Sequence, residues 1–292
     1  MSTDVLIAHI TDIHFPSMSS FEVGDLFTKR ISGAFNLIAN SGRRFRKHLL
    51  KESLSNISRL GASHIVISGD LGNLAFIEEY EGISSFLDES DFSPEQVTIV
   101  PGNHDVYLKS AEKNRNFWRG LGKWANATGP QDYPIEKNID GINVIGLSSA
   151  VPSPPGIAWG KIGEKQLSDL EQILEKHSGE SNILVLHHPP YRGPDSWHDG
   201  LIDGTRLREI ICKWGVDIIL HGHEHFDMSG SVEGPMGIRI PVFGTGCAIL
   251  DNFSKPGNGA RIRLLRFSGG KFIKTWVVEW KNDIGHFKPV EV

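Results

Sequence analysis

Six short apolar runs of strand length recur along this chain, and five of them stop on aspartate, asparagine or histidine. The runs are VLIAHIT (5–11), HIVIS (64–68), VTIV (97–100), INVIGLS (142–148), NILVL (182–186) and DIIL (217–220). They are rich in β-branched residues and mostly continuous, as expected of strands buried on both faces of a sheet. Between them, 163–177 and 205–214 repeat leucine and isoleucine at helical spacing. The C-terminal ARIRLLRF and KFIKTWVVEW, joined by SGG, read as a hairpin. This order predicts an α/β protein with a mixed sheet and a β-rich end. No repeat or Pro/Gly/Ser linker divides the 292 residues, so a single domain over 1–292 is expected, with a candidate helical cap around 17–60.

The polar residues at the strand ends set the chemistry. The first run ends in Asp12 and His14, the second in Gly69-Asp70, and the third in Asn103-His104-Asp105. The fifth ends in His187-His188 and the sixth in His221, His223 and His225. Ligands of open α/β sheets bind outside the carboxyl ends of the strands, so these side chains are expected to converge. The set offers carboxylate, imidazole and amide but no thiolate, which suits manganese, iron or zinc rather than calcium or an iron–sulfur cluster. It is too large for one tetrahedral ion, and two ions sharing a carboxylate is the economical arrangement. Paired ions about 3.5–4 Å apart serve in-line hydrolysis, because the attacking and leaving oxygens each find a cation.

In order, Asp12-x-His14, Gly69-Asp70, Gly102-Asn103-His104-Asp105, His187 and Gly222-His223-x-His225 resemble the motif blocks of the calcineurin-like metallophosphoesterase superfamily. The HHPP and GNHD forms are most similar to its bacterial class III cyclic nucleotide phosphodiesterase branch. The resemblance implies a four-layer α/β/β/α sandwich. It also implies two metal ions, iron and manganese with zinc as the alternative. Asp12, His14 and His225 would hold the first ion, Asn103, His187 and His223 the second, with Asp70 between them. The implied reaction is phosphodiester hydrolysis by a hydroxide shared between the ions. The implied substrate is a small phosphorylated molecule, with cyclic nucleotides leading. Two divalent ions against Asp12 and Asp70 leave a residual positive charge to attract phosphate. His104 follows a ligand but stays off the metals in the family pattern, and is expected to protonate the leaving alkoxide. Asp105 either orients that imidazole or caps the following helix. Rival readings are a pyrophosphatase of a nucleotide-linked lipid such as UDP-diacylglucosamine, and a metal-binding scaffold without catalysis.

Other residues complete the expectations. The stretch 191–200 follows the fourth block and should overhang the site, with Arg192 on a phosphate and Trp197 or Tyr191 stacking on a base. His188 is a candidate for the substrate pocket, and His9 reads as a core histidine. Asn73 either bonds a ligand or makes a turn. Residues 28–51 carry seven Lys/Arg and no acid, which suits peripheral contact with anionic lipid or a solvated helix face. A net charge of −5 argues against nucleic-acid binding. Cys212 and Cys247 give no disulfide framework and read as small buried residues. With no leader-like start, the expected compartment is the cytoplasm.

Overall fold

The computed structural model describes residues 4–17, 45–106, 108–154, 156–191, 199–250 and 259–290. Among them the chain runs through β1 (Asp4–Ile10), α1 (Lys47–Arg59), β2 (His64–Ile67), α2 (Ile77–Asp88) and β3 (Val97–Ile99). Three short helices follow, α3 (Asn103–Val106), α4 (Lys109–Asn114) and α5 (Asn116–Leu121). Next come β4 (Ile135–Ile139), β5 (Ile142–Gly146), α6 (Glu164–Lys176), β6 (Ser181–Val185), α7 (Gly204–Trp214) and β7 (Ile218–His221). The chain closes with β8 (Met228–Glu233), β9 (Arg239–Gly244), β10 (Arg261–Ser268), β11 (Lys271–Lys281) and β12 (His286–Pro289).

The strands form two mixed sheets, where sequence order alone suggested one. The first has the order β12-β11-β10-β1-β2-β3 and the second β4-β5-β6-β7-β9-β8. In the first, β1, β2 and β3 run parallel, and β10 returns antiparallel to β1 with Asp4 opposite Ser268. In the second, β5, β6, β7 and β9 are parallel, with β4 and β8 antiparallel at the edges.

Alternation along the second sheet's strands shows how the layers stack. Val144, Ile183, Val185, Ile218 and Leu220 share one apolar cluster with Ile7, Ile10, Ile65 and Ile67 of the first sheet. Their neighbours Ile145, Leu184, Leu186 and Ile219 instead join Leu167, Leu170, Leu207 and Ile210 of α6 and α7. A period of two sends successive side chains to opposite faces, so one face meets a sheet and the other meets helices. Helices α1 and α2 cover the first sheet through Leu50, Leu54, Ile57, Tyr80 and Ile83. The result is the α/β/β/α sandwich. Each fully buried leucine or isoleucine in these layers contributes roughly 1.5–3 kcal/mol.

Part of the basic 28–51 segment falls within this frame. Residues 47–51 begin α1, whose Leu49 and Leu50 are buried, and the Lys47 ammonium sits 4.5 Å from the Phe15 ring centroid. Residues 28–44 lie outside the described residues. Among the described residues no helix is long and apolar enough to cross a membrane. Of the two cysteines, Cys247 is buried as expected, whereas Cys212 is exposed on α7.

Candidate metal centre

The carboxyl ends of the central strands are tied together by their own backbone. Asp12 N–H donates to the Gly69 carbonyl at 3.0 Å, and His14 N–H to the Asp70 carbonyl at 2.9 Å, joining the loops after β1 and β2. Gly222 N–H donates to the His187 carbonyl at 3.1 Å, joining those after β7 and β6. His223 N–H then reaches the Asp12 carboxylate at 3.1 and 3.3 Å, which links one sheet to the other.

Such close approach needs glycine. A Cβ on Gly102 would lie 2.2 Å from Asp70 Oδ1 and 2.3 Å from its backbone nitrogen. One on Gly222 would lie 2.0 Å from Thr11 Oγ1.

Seven side chains converge in the space so formed. His225 Nε2 lies 3.3 Å from Asp12 Oδ1 and 3.0 Å from His14 Nε2, which is 3.8 Å from Asp70 Oδ2. On the other side His187 Nε2 is 3.4 Å from the same Asp70 oxygen and 3.1 Å from Asn103 Oδ1. His223 Nδ1 is 2.9 Å from that Asn103 oxygen. Asp70 therefore stands between two groups of three. Donors about 2.1 Å from a shared ion lie roughly 3.0–3.5 Å apart, close to the separations seen here. Ligand atoms of Asp12, His14, Asp70 and His225 all fall within 4.8 Å of one another.

Five of the seven have left-handed backbones: Asp12 (φ 51°), His14 (46°), Asp70 (51°), His223 (76°) and His225 (59°). Each such non-glycine residue costs on the order of 1–3 kcal/mol, and persists only where the surroundings over-determine it. Concentration of that strain on these residues marks a built site.

The charges fit cations. Burial raises the Asp12 carboxyl, but the neighbouring His225 and His187 together outweigh it and hold the group at about 2. Burial lowers His187, yet Asp70 outweighs that and lifts it to about 9. His14 is pushed down to about 3 and His223 to about 4, in both cases first by burial and then by neighbouring imidazoles. Two buried carboxylates thus draw protons onto facing histidines, in positions where divalent cations would neutralise them instead. The His187 Nδ1–H donates to the Ser68 carbonyl at 2.8 Å, which turns Nε2 toward Asp70 and Asn103. Ser68 Oγ in turn meets His9 Nε2 at 2.7 Å, and His9 Nδ1 meets Thr245 Oγ1 at 2.9 Å. His9 is a buried, fully engaged histidine behind the centre.

His104 stands beside the cluster, its ring 4.8 Å from that of His14, and its Nδ1–H donates to the Asn73 carbonyl at 3.1 Å. Asp105 does not orient that imidazole. Its carboxylate accepts the backbone N–H groups of Gly102 (2.8 Å), Gly72 (2.9 Å) and Leu71 (3.3 Å), bracing the two loops that carry Asp70 and Asn103. His188 is fully buried rather than open to substrate. Its Nε2–H donates to the Ala158 carbonyl at 2.9 Å and its Nδ1 accepts from Ser149 Oγ at 2.8 Å, while its ring packs 4.7 Å from that of His223. Arg192 and Trp197 lie outside the described residues, and Tyr191 is held by His221 Nε2 at 3.3 Å. Sequence reasoning missed Phe45, whose ring lies 5.2 Å from His14, and Cys247, whose buried thiol is pushed up by burial with His225 pulling it back. Neither carries a motif signal.

The calcineurin-like phosphoesterase family model matches residues 5–227. The chain belongs to this family. A Rhodococcus erythropolis protein named probable cyclic nucleotide phosphodiesterase is 29% identical over 209 residues, covering 69% of this chain and 64% of that protein. A Psychrobacter protein of the same description is 25% identical over 240 residues, covering 76% and 64%. The matched region therefore spans less than two thirds of either relative. Among solved structures, a dimetal phosphatase from Danio rerio superposes with a TM-score of 0.59 at 14% identity, covering 95% of this chain and 99% of that one. A purple acid phosphatase from yellow lupin gives 0.61 at 9%, covering 99% and 53%. These structural likenesses speak for the fold, and they agree with the sandwich described above.

Proposed function

We propose that this chain is a dinuclear metal-dependent phosphodiesterase, with cyclic nucleotides as the leading substrate. The observation that carries the reading is the place of Asp70, whose Oδ2 lies within 4 Å of a histidine nitrogen on either side. One ion would be held by Asp12, His14 and His225, the other by Asn103, His187 and His223, with Asp70 shared. The donors are imidazole, carboxylate and amide, which suits iron and manganese, with zinc as an alternative. When bound, such a pair lowers the pKa of water to about 7 and polarises phosphoryl oxygens.

The protein's own groups supply the rest. Left-handed turns and the Ser68 and Asp105 hydrogen bonds hold the donors before any ion arrives, so little reorganisation accompanies binding. His104 gives Nδ1–H to Asn73, so proton exchange with substrate falls to Nε2. As a hydroxide oxygen bonds to phosphorus and the bond to the leaving oxygen breaks, the electron pair goes to that oxygen. The doubly protonated His104 ring gives up its Nε2 proton to it, leaving a neutral alcohol and an imidazole with hydrogen on Nδ1. The relatives' description supports a cyclic nucleotide as the ester that is opened.

The test is to load the purified protein with Mn²⁺ or Fe²⁺, count the ions, and assay it against a cyclic nucleotide, a simple diester and the matching monoester. Two ions per chain and preference for diesters are expected. Full activity with a single ion, or no turnover of any diester, would refute the proposal.

A further inference from the structure

The loop at 71–76 is held by a second buried acidic side chain that the metal centre does not use. Glu79, in the first turn of α2, is wholly buried. Its two oxygens accept the Leu74 N–H at 3.1 and 3.0 Å, and one of them also accepts the Phe76 N–H at 3.1 Å. Burial pushes its carboxyl up to about 8, against the opposing pull of these backbone N–H donors. Phe76 precedes α2 with an extended backbone, and Glu79 at the third helical position reaches back to cap it.

The Leu74 N–H and the Asn73 carbonyl belong to one planar peptide unit, so they point in opposite directions. Glu79 grips one end of that unit. At the other end the Asn73 carbonyl accepts His104 Nδ1–H at 3.1 Å. Because a carbonyl only accepts, this contact keeps a hydrogen on Nδ1 in both the neutral and the doubly protonated ring, so Nε2 is the nitrogen that carries the transferred proton.

We propose that Glu79 is a positioning residue for His104, acting through the Asn73–Leu74 peptide as a carboxylate–peptide–imidazole relay. A carboxylate bonded directly to a catalytic histidine sets its tautomer and stabilises its protonated form. Here an intervening amide transmits the same influence, because each hydrogen bond polarises the next in a buried chain. Asp105 braces the preceding residues of the loop through Leu71 and Gly72, and Asn116 Nδ2 holds the Ala75 carbonyl at 2.9 Å. The peptide is thereby secured on both sides, with the Glu79 carboxyl on its N–H end.

This inference rests on the reading of His104 as proton donor, and the experiment separates the two. His104→Ala, Glu79→Gln and Glu79→Asp are compared with the unmodified metal-loaded protein on an alkyl phosphodiester and on bis(p-nitrophenyl) phosphate. The nitrophenolate leaves without a proton and the alkoxide does not. His104→Ala should lose about 10²- to 10⁴-fold in kcat on the alkyl ester and far less on the nitrophenyl ester. Glu79→Gln should show the same leaving-group pattern at roughly 10- to 100-fold, with metal content and KM little changed. Glu79→Asp keeps the carboxyl group one methylene short of the loop, and serves if the glutamine variant does not fold. Nitrogen-15 NMR of the His104 ring in the zinc-loaded protein should show hydrogen on Nδ1, and a shift away from that form in the Glu79 variants. Equal losses on both esters for His104→Ala would overturn the role of His104. A leaving-group pattern in His104→Ala that is absent from folded Glu79 variants, with an unchanged imidazole signal, would overturn the relay alone.

Discussion

Replacing Gly102 with alanine adds one methyl carbon, and the structure says where it would go. That carbon would sit 2.2 Å from Asp70 Oδ1, 2.3 Å from the Asp70 nitrogen and 2.8 Å from its Cγ. Real Cβ contacts essentially never fall under 3.0 Å, so Asp70 or the strand end must retreat by at least 0.8 Å. Neither gives easily. Asp70 is locked at φ 51°, and its carbonyl accepts His14 N–H at 2.9 Å. Gly102 N–H is itself held by Asp105 at 2.8 Å. Overpacking of this kind costs about 1–3 kcal/mol. Conversion at roughly 2–4 °C per kcal/mol gives a fall in Tm of about 2–12 °C. The effect on activity is larger, because a misplacement near 1 Å can cost about 10²-fold in rate. Gly141→Ala is the control for added bulk: its φ of +88° strains an alanine there, but nothing lies within 4 Å of the new carbon. Calorimetry, metal analysis and diester turnover on both variants settle the matter. Gly102→Ala should melt lower, lose bound metal and lose about 10²-fold activity, while Gly141→Ala keeps its metal and its rate. A Gly102→Ala protein with full metal content and undiminished turnover would falsify the claim that this close approach shapes the site.

Asp70→Ala should cost occupancy at both ions, since Asp70 Oδ2 faces His14 and His187 alike; elemental analysis showing one ion fully retained would remove it from the shared position. His64, buried between β2 and β3 with Nε2 on Thr98 Oγ1 at 2.8 Å, is pushed down to about 3 by burial and then by the Lys137 ammonium. Its unfolded value near 6.5 is higher, so the unfolded state binds the extra proton. Its contribution is complete above pH 6.5 and is lost as pH falls toward 3, at up to about 1.4 kcal/mol per pH unit. Urea unfolding of His64→Gln between pH 7 and 4.5 should show a shallower pH slope than the unmodified protein, and parallel slopes would count against this account. Arg261 joins Asp227 to Glu279, and its side chain and that of Glu279 are almost entirely buried. Arg261→Met leaves Glu279 without this partner and should cost about 3 kcal/mol, read as a Tm lower by roughly 6–12 °C; an unchanged Tm would show the pair to be dispensable.

What the sequence disclosed and what it hid follow from the same physics. Continuous apolar runs mark strands covered on both faces, so β1, β2, β3, β5, β6 and β7 stand out. Edge strand β8, MSGSVE, has a single fully buried residue, Val232, and so gives no apolar run. β9 contains Pro241, which weakens a strand pattern. Helix α1 overlaps the basic segment only at 47–51 and lies in the stretch expected to form a helical cap; its Leu49, Leu50, Leu54 and Ile57 bury one face in the core instead. Division into two sheets was expected only from the family resemblance, not from the strand pattern. Pairings such as β10 crossing some 250 residues of sequence to reach β1 are long-range choices that no local pattern encodes.

The candidate ligands were legible by type and place, but their neighbours were not, and the reason lies in how successive residues point. Asn103, His104 and Asp105 begin α3, where each residue turns about 100° from the last. If Asn103 faces the metal centre, His104 points to its side and Asp105 points roughly away, into the loop amides of Gly72 and Leu71. Extended chain alternates instead, so His187 faces Asp70 while His188 turns toward Ser149 and Ala158. A row of reactive side chains in sequence therefore cannot all serve one small cavity. One member meets the ions, the next can meet the substrate, and the remainder must hold the frame. Glu79 extends the rule beyond the motifs: it lies nine residues past Asp70, yet one peptide unit separates its carboxylate from the His104 ring.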